Sequence, residues 1–301
     1  MDDEDIGMAL IGVTVFLWST IEVFTKLAHA SLPPLTIAFL RFLIGGLFLF
    51  PLVLIYRRKV NWKKVGPREW AQLFLLAFLG ITCTFSLYHI ALVWIDASSV
   101  ATLISMVPLF SAPISYIILR ERIGYVAVTG LLMGGVGILV IFLSEERGLT
   151  SLMAVCLMCI AVSCFSVYAV LMKPLNRKMD ARVTTSMSLF VGGLLFIPIL
   201  VLDGAPLIRP MDLSTILYVA YLSLIAVGVA YLLYFLGLHK VKVAKGNSLL
   251  YLKPLLATVL AVLVLNELPN LLRSIAIILI TVSVFLVVRG ERIQNRLFKK
   301  K

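Results

Sequence analysis

The chain has 301 residues, 61% of them hydrophobic and only 14% charged, with a mean hydropathy of +1.06. A soluble domain is about half apolar and roughly a quarter charged, so too little polar surface remains here to cover a globule in water. The net charge of +12 forms no basic face for nucleic acid, because lysine and arginine stand in short blocks between apolar runs, as the positive-inside rule requires.

At ~20 residues per membrane span, ten spans use about 200 residues and leave no room for a sizeable soluble domain. The runs are continuously apolar and lack the alternation of a barrel, which predicts an all-α integral membrane protein. The acidic start, Met1-Asp2-Asp3-Glu4-Asp5, precedes an apolar run too long for a signal h-region, so no cleaved signal peptide is expected. Ten spans are predicted at about 7–29, 34–56, 69–92, 97–119, 123–143, 150–173, 183–202, 213–238, 243–265 and 269–289. Cations cluster after spans two, four, six and eight and in the tail, including Arg57, Arg58, Arg120, Arg122, Lys173, Arg177, Lys240, Lys245 and Lys299–Lys301. The alternate loops hold little beyond Arg147, Arg209 and Arg273. Both termini are therefore expected in the cytoplasm, with the chain crossing the plasma (inner) membrane many times.

Ionisable groups within spans are costly and are functional candidates by default. In span one Trp18 and Ser19 are candidates to line a substrate path. Glu22 and Lys26 stand four apart in the order that favours an ion pair. Glu22 lies deeper and is a candidate proton carrier, the alternative being a structural pair with Lys26. Arg41 sits inside span two. His89 in span three titrates near neutral pH and can relay protons, or is a structural histidine. In span four Ser98, Thr102 and Ser105 offer hydroxyls, which serve a path or interhelical packing equally well. Pro108 removes a backbone hydrogen bond there. Glu121 ends that span and is expected to meet free N–H groups at the start of the next helix. The run Gly130–Gly137 in span five has packing spacing, within one subunit or between two. Cys156 and Cys159 have CxxC spacing but stand mid-helix without a second pair, so no metal site is expected. Tyr231 in span eight can hold an amine by cation–π contact or anchor an interface. Lys253, near the midplane of span nine, immediately precedes Pro254. Paired interruptions such as Pro108 and Pro254 are the best sequence pointer to a transporter's binding site. Glu267 ends span nine as Glu121 ends span four.

The chain also repeats itself. Tyr88, Leu103, Pro108 and Glu121 fall on Tyr234, Leu249, Pro254 and Glu267, always 146 positions on. Ser19, Lys26, Gly45 and Gly46 fall on Ser166, Lys173, Gly192 and Gly193, always 147 on. The repeats occupy 1–146 and 147–301. Five spans is an odd number, so the second copy enters the membrane inverted, and the swapped loop charges agree. Two inverted halves that rock about a central site are the physical basis of alternating access.

Three segments carry a resemblance: Leu17–Gly46 (LWSTIEVFTKLAHASLPPLTIAFLRFLIGG), Tyr88–Ile123 (YHIALVWIDASSVATLISMVPLFSAPISYIILRERI) and the repeat copy ending LVLNELPN. They resemble EamA-type domains of the drug/metabolite transporter superfamily. The resemblance implies ten spans in two inverted five-helix repeats, a central cavity, and transport, often export, of small metabolites such as amino acids. Arg41 matches the FLR of the family motif. Family members often carry an acid before the proline of span nine, and Lys253 reverses that charge.

Within the spans Lys26, Arg41 and Lys253 stand against Glu22 alone, which favours a carboxylate-bearing substrate. The expected function is a secondary transporter for an amino acid or organic acid, with a lipid flippase or scramblase and an uptake carrier for organic anions as alternatives. No Walker A pattern is present, and His29, His89 and His239 fall on different segments without a catalytic set. No enzyme activity, metal or cofactor is expected. The expected partners are a small-molecule substrate, the lipid bilayer and, for coupling, a proton; monomer and homodimer both remain open.

Overall fold

The computed structural model describes residues 2–29, 31–60, 62–95, 97–143, 149–204, 206–207, 209–256, 259 and 271–298. Of the residues singled out above, Arg147, Glu267 and Lys299–Lys301 lie outside the described residues, as do the side chains of Glu22, Lys26, Ser98 and Arg273. The described residues are mostly helical, with no strand among them. Among the described residues seven segments are long and apolar enough to cross a membrane: Asp3–Thr25, Pro34–Tyr56, Pro67–Leu92, Thr102–Leu119, Leu152–Met179, Ala181–Asp203 and Leu213–Lys240. Tyr125–Val140 and Ser274–Gly290 are shorter apolar helices.

Helix α1 (Asp3–Trp18) carries Asp3, Glu4 and Asp5 in its first turn, where acids complement the positive end of the helix dipole. It stops at Ser19 and Thr20, whose hydroxyls bond back to Val15 O (2.7 Å) and Leu17 O (2.7 Å), and α2 (Ile21–Ala28) resumes the path. The single span expected over 7–29 is thus two helices. Helix α3 (Pro34–Tyr56) begins on a proline, a residue preset for the first helical turn. The next segment is α4 (Pro67–Ala77), a π-helical stretch Phe78–Cys83, and α5 (Thr84–Trp94). Then come α6 (Ala97–Ile104) and α7 (Val107–Leu119). Their interruption lies at Ser105 and Met106, just ahead of Pro108. The proline starts the new helix, where its missing N–H costs nothing.

Helices α8 (Tyr125–Leu143), α9 (Leu149–Met179), α10 (Ala181–Leu194) and α11 (Phe196–Asp203) follow. A second π-helical stretch, Leu222–Val229, separates α12 (Leu213–Tyr221) from α13 (Ala230–Lys240). After α14 (Val243–Asn247) a 3-10 turn, Ser248–Tyr251, breaks the ninth segment. Pro254 lies in the short helical piece 252–256 beyond it. Helix α15 (Leu271–Phe298) closes the described chain.

The helices pair along glycine seams. α3 lies along α10 and α8 along α15, while α1 packs on α13 and α5 on α9. Gly46 abuts the backbone of Phe190, and a Cβ on Gly193 would stand 2.6 Å from Leu43 N. Gly130 and Gly137 face α15, where added methyls would meet Val287 Cγ2 at 2.9 Å and Ile280 Cγ1 at 2.8 Å. These glycines of the Gly130–Gly137 run therefore serve packing within one subunit. Because the obstacle at Gly193 is backbone, Gly193→Ala is expected to destabilise the bundle by about 1–3 kcal/mol or more. A control, Gly12→Ala, has nothing within 4 Å of the new methyl. Thermal unfolding in detergent checks the pair: the first variant loses several degrees and the second none.

Candidate functional site

Where the interrupted segments meet, the bundle encloses a cavity of about 50 Å³. Six aromatic rings wall it: Trp18, Phe42, Phe85, Tyr88, Phe165 and Tyr231. Arg41, Ser105 and Lys253 supply the polar groups, and no acid is found among the described lining residues. The interruptions explain the position, since Ser105 lies in the gap between α6 and α7 and Lys253 lies just past the 3-10 turn.

Arg41 is 1% exposed. Its guanidinium stands 4.8 Å from the Phe42 ring centroid and 4.7 Å from that of Phe85, between two π faces that attract a cation. Trp18 donates its indole N–H to Ala226 O at 3.1 Å, a carbonyl of the second π-helical stretch. Its ring packs 5.0 Å from both Tyr231 and Tyr234. One wall of the cavity is thereby fixed to the backbone of the segment opposite.

Five of the six substrate-site expectations, namely Trp18, Arg41, Ser105, Tyr231 and Lys253, line this one cavity. Ser19 is buried next to it but is not among the lining residues, and its hydroxyl is turned to Val15 O. Of the two candidate proton carriers, the Glu22 side chain lies outside the described residues and His89 is buried behind the wall. The His89 ring stands 5.3 Å from Tyr88 and 6.3 Å from His29. Neither ring nitrogen of His89 has a hydrogen-bond partner among the described residues. Pro108 and Pro254 are both buried, and their contribution is to the breaks that admit Ser105 and Lys253.

The model of the EamA-like transporter family matches residues 5–143 and again 152–289. The chain belongs to the EamA-like transporter family. Among its relatives is an uncharacterized transporter of Clostridium kluyveri, 26% identical over 268 residues, covering 87% of this chain and 86% of that one. Another, from Archaeoglobus fulgidus, is 26% identical over 287 residues and covers 93% and 98%. A chloroplastic WAT1-related protein of Arabidopsis thaliana is 26% identical over 281 residues, covering 90% and 67%. A crystal structure superposes with a TM-score of 0.80 at 23% identity, over 97% of this chain and 98% of that one. At that identity the likeness concerns the fold.

In this EamA-like transporter two buried polar layers separate the cavity from one face of the bundle. In the first, Tyr234 donates to Asn247 Oδ1 (2.7 Å) and Asn247 Nδ2 donates to Ser111 Oγ (2.8 Å). The second is a latch. Lys173 Nζ bonds Glu121 Oε1 at 2.5 Å and Val241 O at 2.6 Å, while the Val243 N–H donates to Glu121 Oε2 at 2.8 Å. The order is the same on each segment that contributes. Tyr231 and Tyr234 follow one another along α13 with Val241 just past its end, and Lys253, Asn247 and Val243 run back along the ninth segment. Arg120, in the left-handed conformation at φ 54°, ends α7 immediately before Glu121.

Sequence reasoning missed this latch. Lys173 reads as one more cation of a basic loop, but α9 continues to Met179 and leaves Lys173 only 7% exposed. Glu121 does meet a free N–H, at Val243 of a distant segment and not in the helix that follows it. The available signal was the repeat, which pairs Lys173 with Lys26 and Glu121 with Glu267.

Proposed function

We propose that the chain is a secondary transporter that carries a small carboxylate-bearing metabolite, an amino acid or organic acid, out across the plasma membrane by alternating access. The observation that carries this reading is the cavity, which joins Arg41 and Lys253 with six aromatic rings and no acid among its described lining residues. A substrate carboxylate matches the two cations, with the guanidinium fork suited to bidentate contact. The rings favour a bulky apolar or aromatic body on the same molecule. The cavity has room for only a few waters in this conformation, so the substrate enters when the latch side opens to the cytoplasm and leaves when helices part on the opposite side.

The reading places ten spans in two inverted repeats, 1–146 and 147–301, with both termini and the latch on the cytoplasmic side. Three features support it. α3 pairs with α10 and α8 with α15, each helix against its own repeat counterpart. The pairing of α1 with α13 has its counterpart in that of α9 with α5. The π-helical stretches Phe78–Cys83 and Leu222–Val229 fall at repeat-equivalent positions. The symmetry is broken at Ser19 and Thr20, since α9 runs unbroken through the equivalent Ser166. Glu22 and His89 remain the candidate carriers of a coupling proton.

The test compares metabolites in the spent medium of cells expressing the wild type and an Arg41→Ala, Lys253→Ala variant, read by unbiased mass spectrometry. Accumulation of an amino or organic acid with the wild type alone supports export and identifies the substrate. Depletion points to the organic-anion uptake carrier. No change with correctly inserted protein overturns the small-metabolite reading and leaves lipid translocation to be assayed.

A further inference from the structure

A second cavity lies outside the transport path. Between α7 and α8 a lateral groove of about 1180 Å³ opens on the outer surface of the bundle. The two helices are joined by the short connection 120–124, and they approach again where Gly135 faces the Leu109 side chain. The groove is therefore closed at both ends. Tyr125 to Gly135 on α8 rises about 15 Å, half of the ~30 Å hydrocarbon core. Its depth is that of one leaflet.

The lining changes character along that length. Leu109, Val128 and Leu132 make the inner part apolar, and Tyr116 and Tyr125 stand exposed by 59% and 79% toward the connection. At that end are Arg122, Lys242 and Gln294. Glu121, the acid beside Arg122, is turned away to Lys173 and the Val243 N–H. Gln294 Oε1 is buried without a hydrogen-bond partner among the described residues.

We propose that this groove is a binding site for an acidic glycerophospholipid with a hydroxyl-bearing headgroup, of the phosphatidylglycerol type. The acyl chains fill the apolar part, the phosphate meets Arg122 and Lys242, and a headgroup hydroxyl donates to the Gln294 carboxamide. Zwitterionic lipid lacks the net charge that the two cations select. The assignment to the cytoplasmic leaflet rests on the membrane orientation proposed above, whereas lipid binding itself is read without transport. Failure of one therefore leaves the other standing.

The experiment titrates delipidated full-length protein with phosphatidylglycerol or phosphatidylcholine of identical acyl chains. Thermal midpoint and co-purifying lipid are both followed, the latter by native mass spectrometry. Phosphatidylglycerol is expected to raise the midpoint and to be retained, with an apparent affinity about thirtyfold lower in Arg122→Gln, Lys242→Gln, as the loss of two interfacial cations implies. Leu132→Trp, which fills the groove from an exposed position, is expected to lose retention with both cations intact. Arg122→Gln alone, at an exposed site, serves if the double variant does not fold. Equal stabilisation by the two lipids overturns the proposal, as does an equal effect from acyl-free glycerol phosphate. Two copies per particle that become one in Leu132→Trp would assign the groove to a second copy and also overturn it.

Discussion

Replacing Lys253 with Met is expected to lower transport about tenfold to a hundredfold, the worth of one hydrogen bond to a charged group, while the protein inserts and folds as before. Lys253 is 7% exposed at the cavity, and Met fills most of its volume, so no large void accompanies the loss of charge. Arg41→Lys tests the other cation. It keeps the charge but loses the planar fork and the stacking between Phe42 and Phe85, so it is not a conservative change. It too is expected to impair transport, chiefly through a raised KM. Uptake into proteoliposomes of the substrate found in spent medium is the measurement. Undiminished flux in a monodisperse Lys253→Met preparation removes that residue from the site.

Breaking the latch has the larger consequence for stability. Lys173→Ala strands the Glu121 carboxylate, whose side chain is 13% exposed, and removing one partner of a buried pair costs about 3–5 kcal/mol. Glu121→Gln is milder, because the amide oxygen still accepts from Val243 N–H. Lys173→Met combined with Glu121→Gln is expected to recover most of the stability and none of the closure. Closure is read by thiol labelling of Ser105→Cys from the latch side, in a background where Cys83, Cys156, Cys159 and Cys164 are replaced. The label is expected to reach the cavity in the double variant and not in the parent. If stability returns and labelling stays at the parent's level, the latch is a structural clamp and not a gate.

Different parts of this molecule were legible in the sequence for different reasons. Trp18, Arg41, Ser105, Tyr231 and Lys253 were readable because a polar or aromatic group in an apolar run has few places to go, and all five meet at one cavity. The seam between α8 and α15 was half readable: the spacing of Gly130 and Gly137 announced a close approach but could not name the neighbour. The latch was hidden because sequence hydropathy ends a helix at its first cations, whereas α9 carries Lys173 past that point under cover of Val241. The break at Ser19 and Thr20 was hidden for the opposite reason. Both hydroxyls look compatible with a helix until they take the carbonyls of Val15 and Leu17, and the equivalent Ser166 shows that the same residue type permits either outcome.

The two π-helical stretches give the bundle a kind of slack. Each winds one more residue into a turn than an α-helix does, so Phe78–Cys83 and Leu222–Val229 hold surplus chain near the middle of otherwise regular rods. If the wide turn slides along the rod by one residue, the residue that it passes swivels by about 100°, one residue's share of a 3.6-residue turn, while the rod on either side keeps its phase. No net hydrogen bond is lost on the way. Tyr88, beyond the first stretch, and Tyr231, beyond the second, are both cavity walls. A wide turn that slides as far as either residue and past it turns that ring in place, while the seams of α3 with α10 and α8 with α15 stay still.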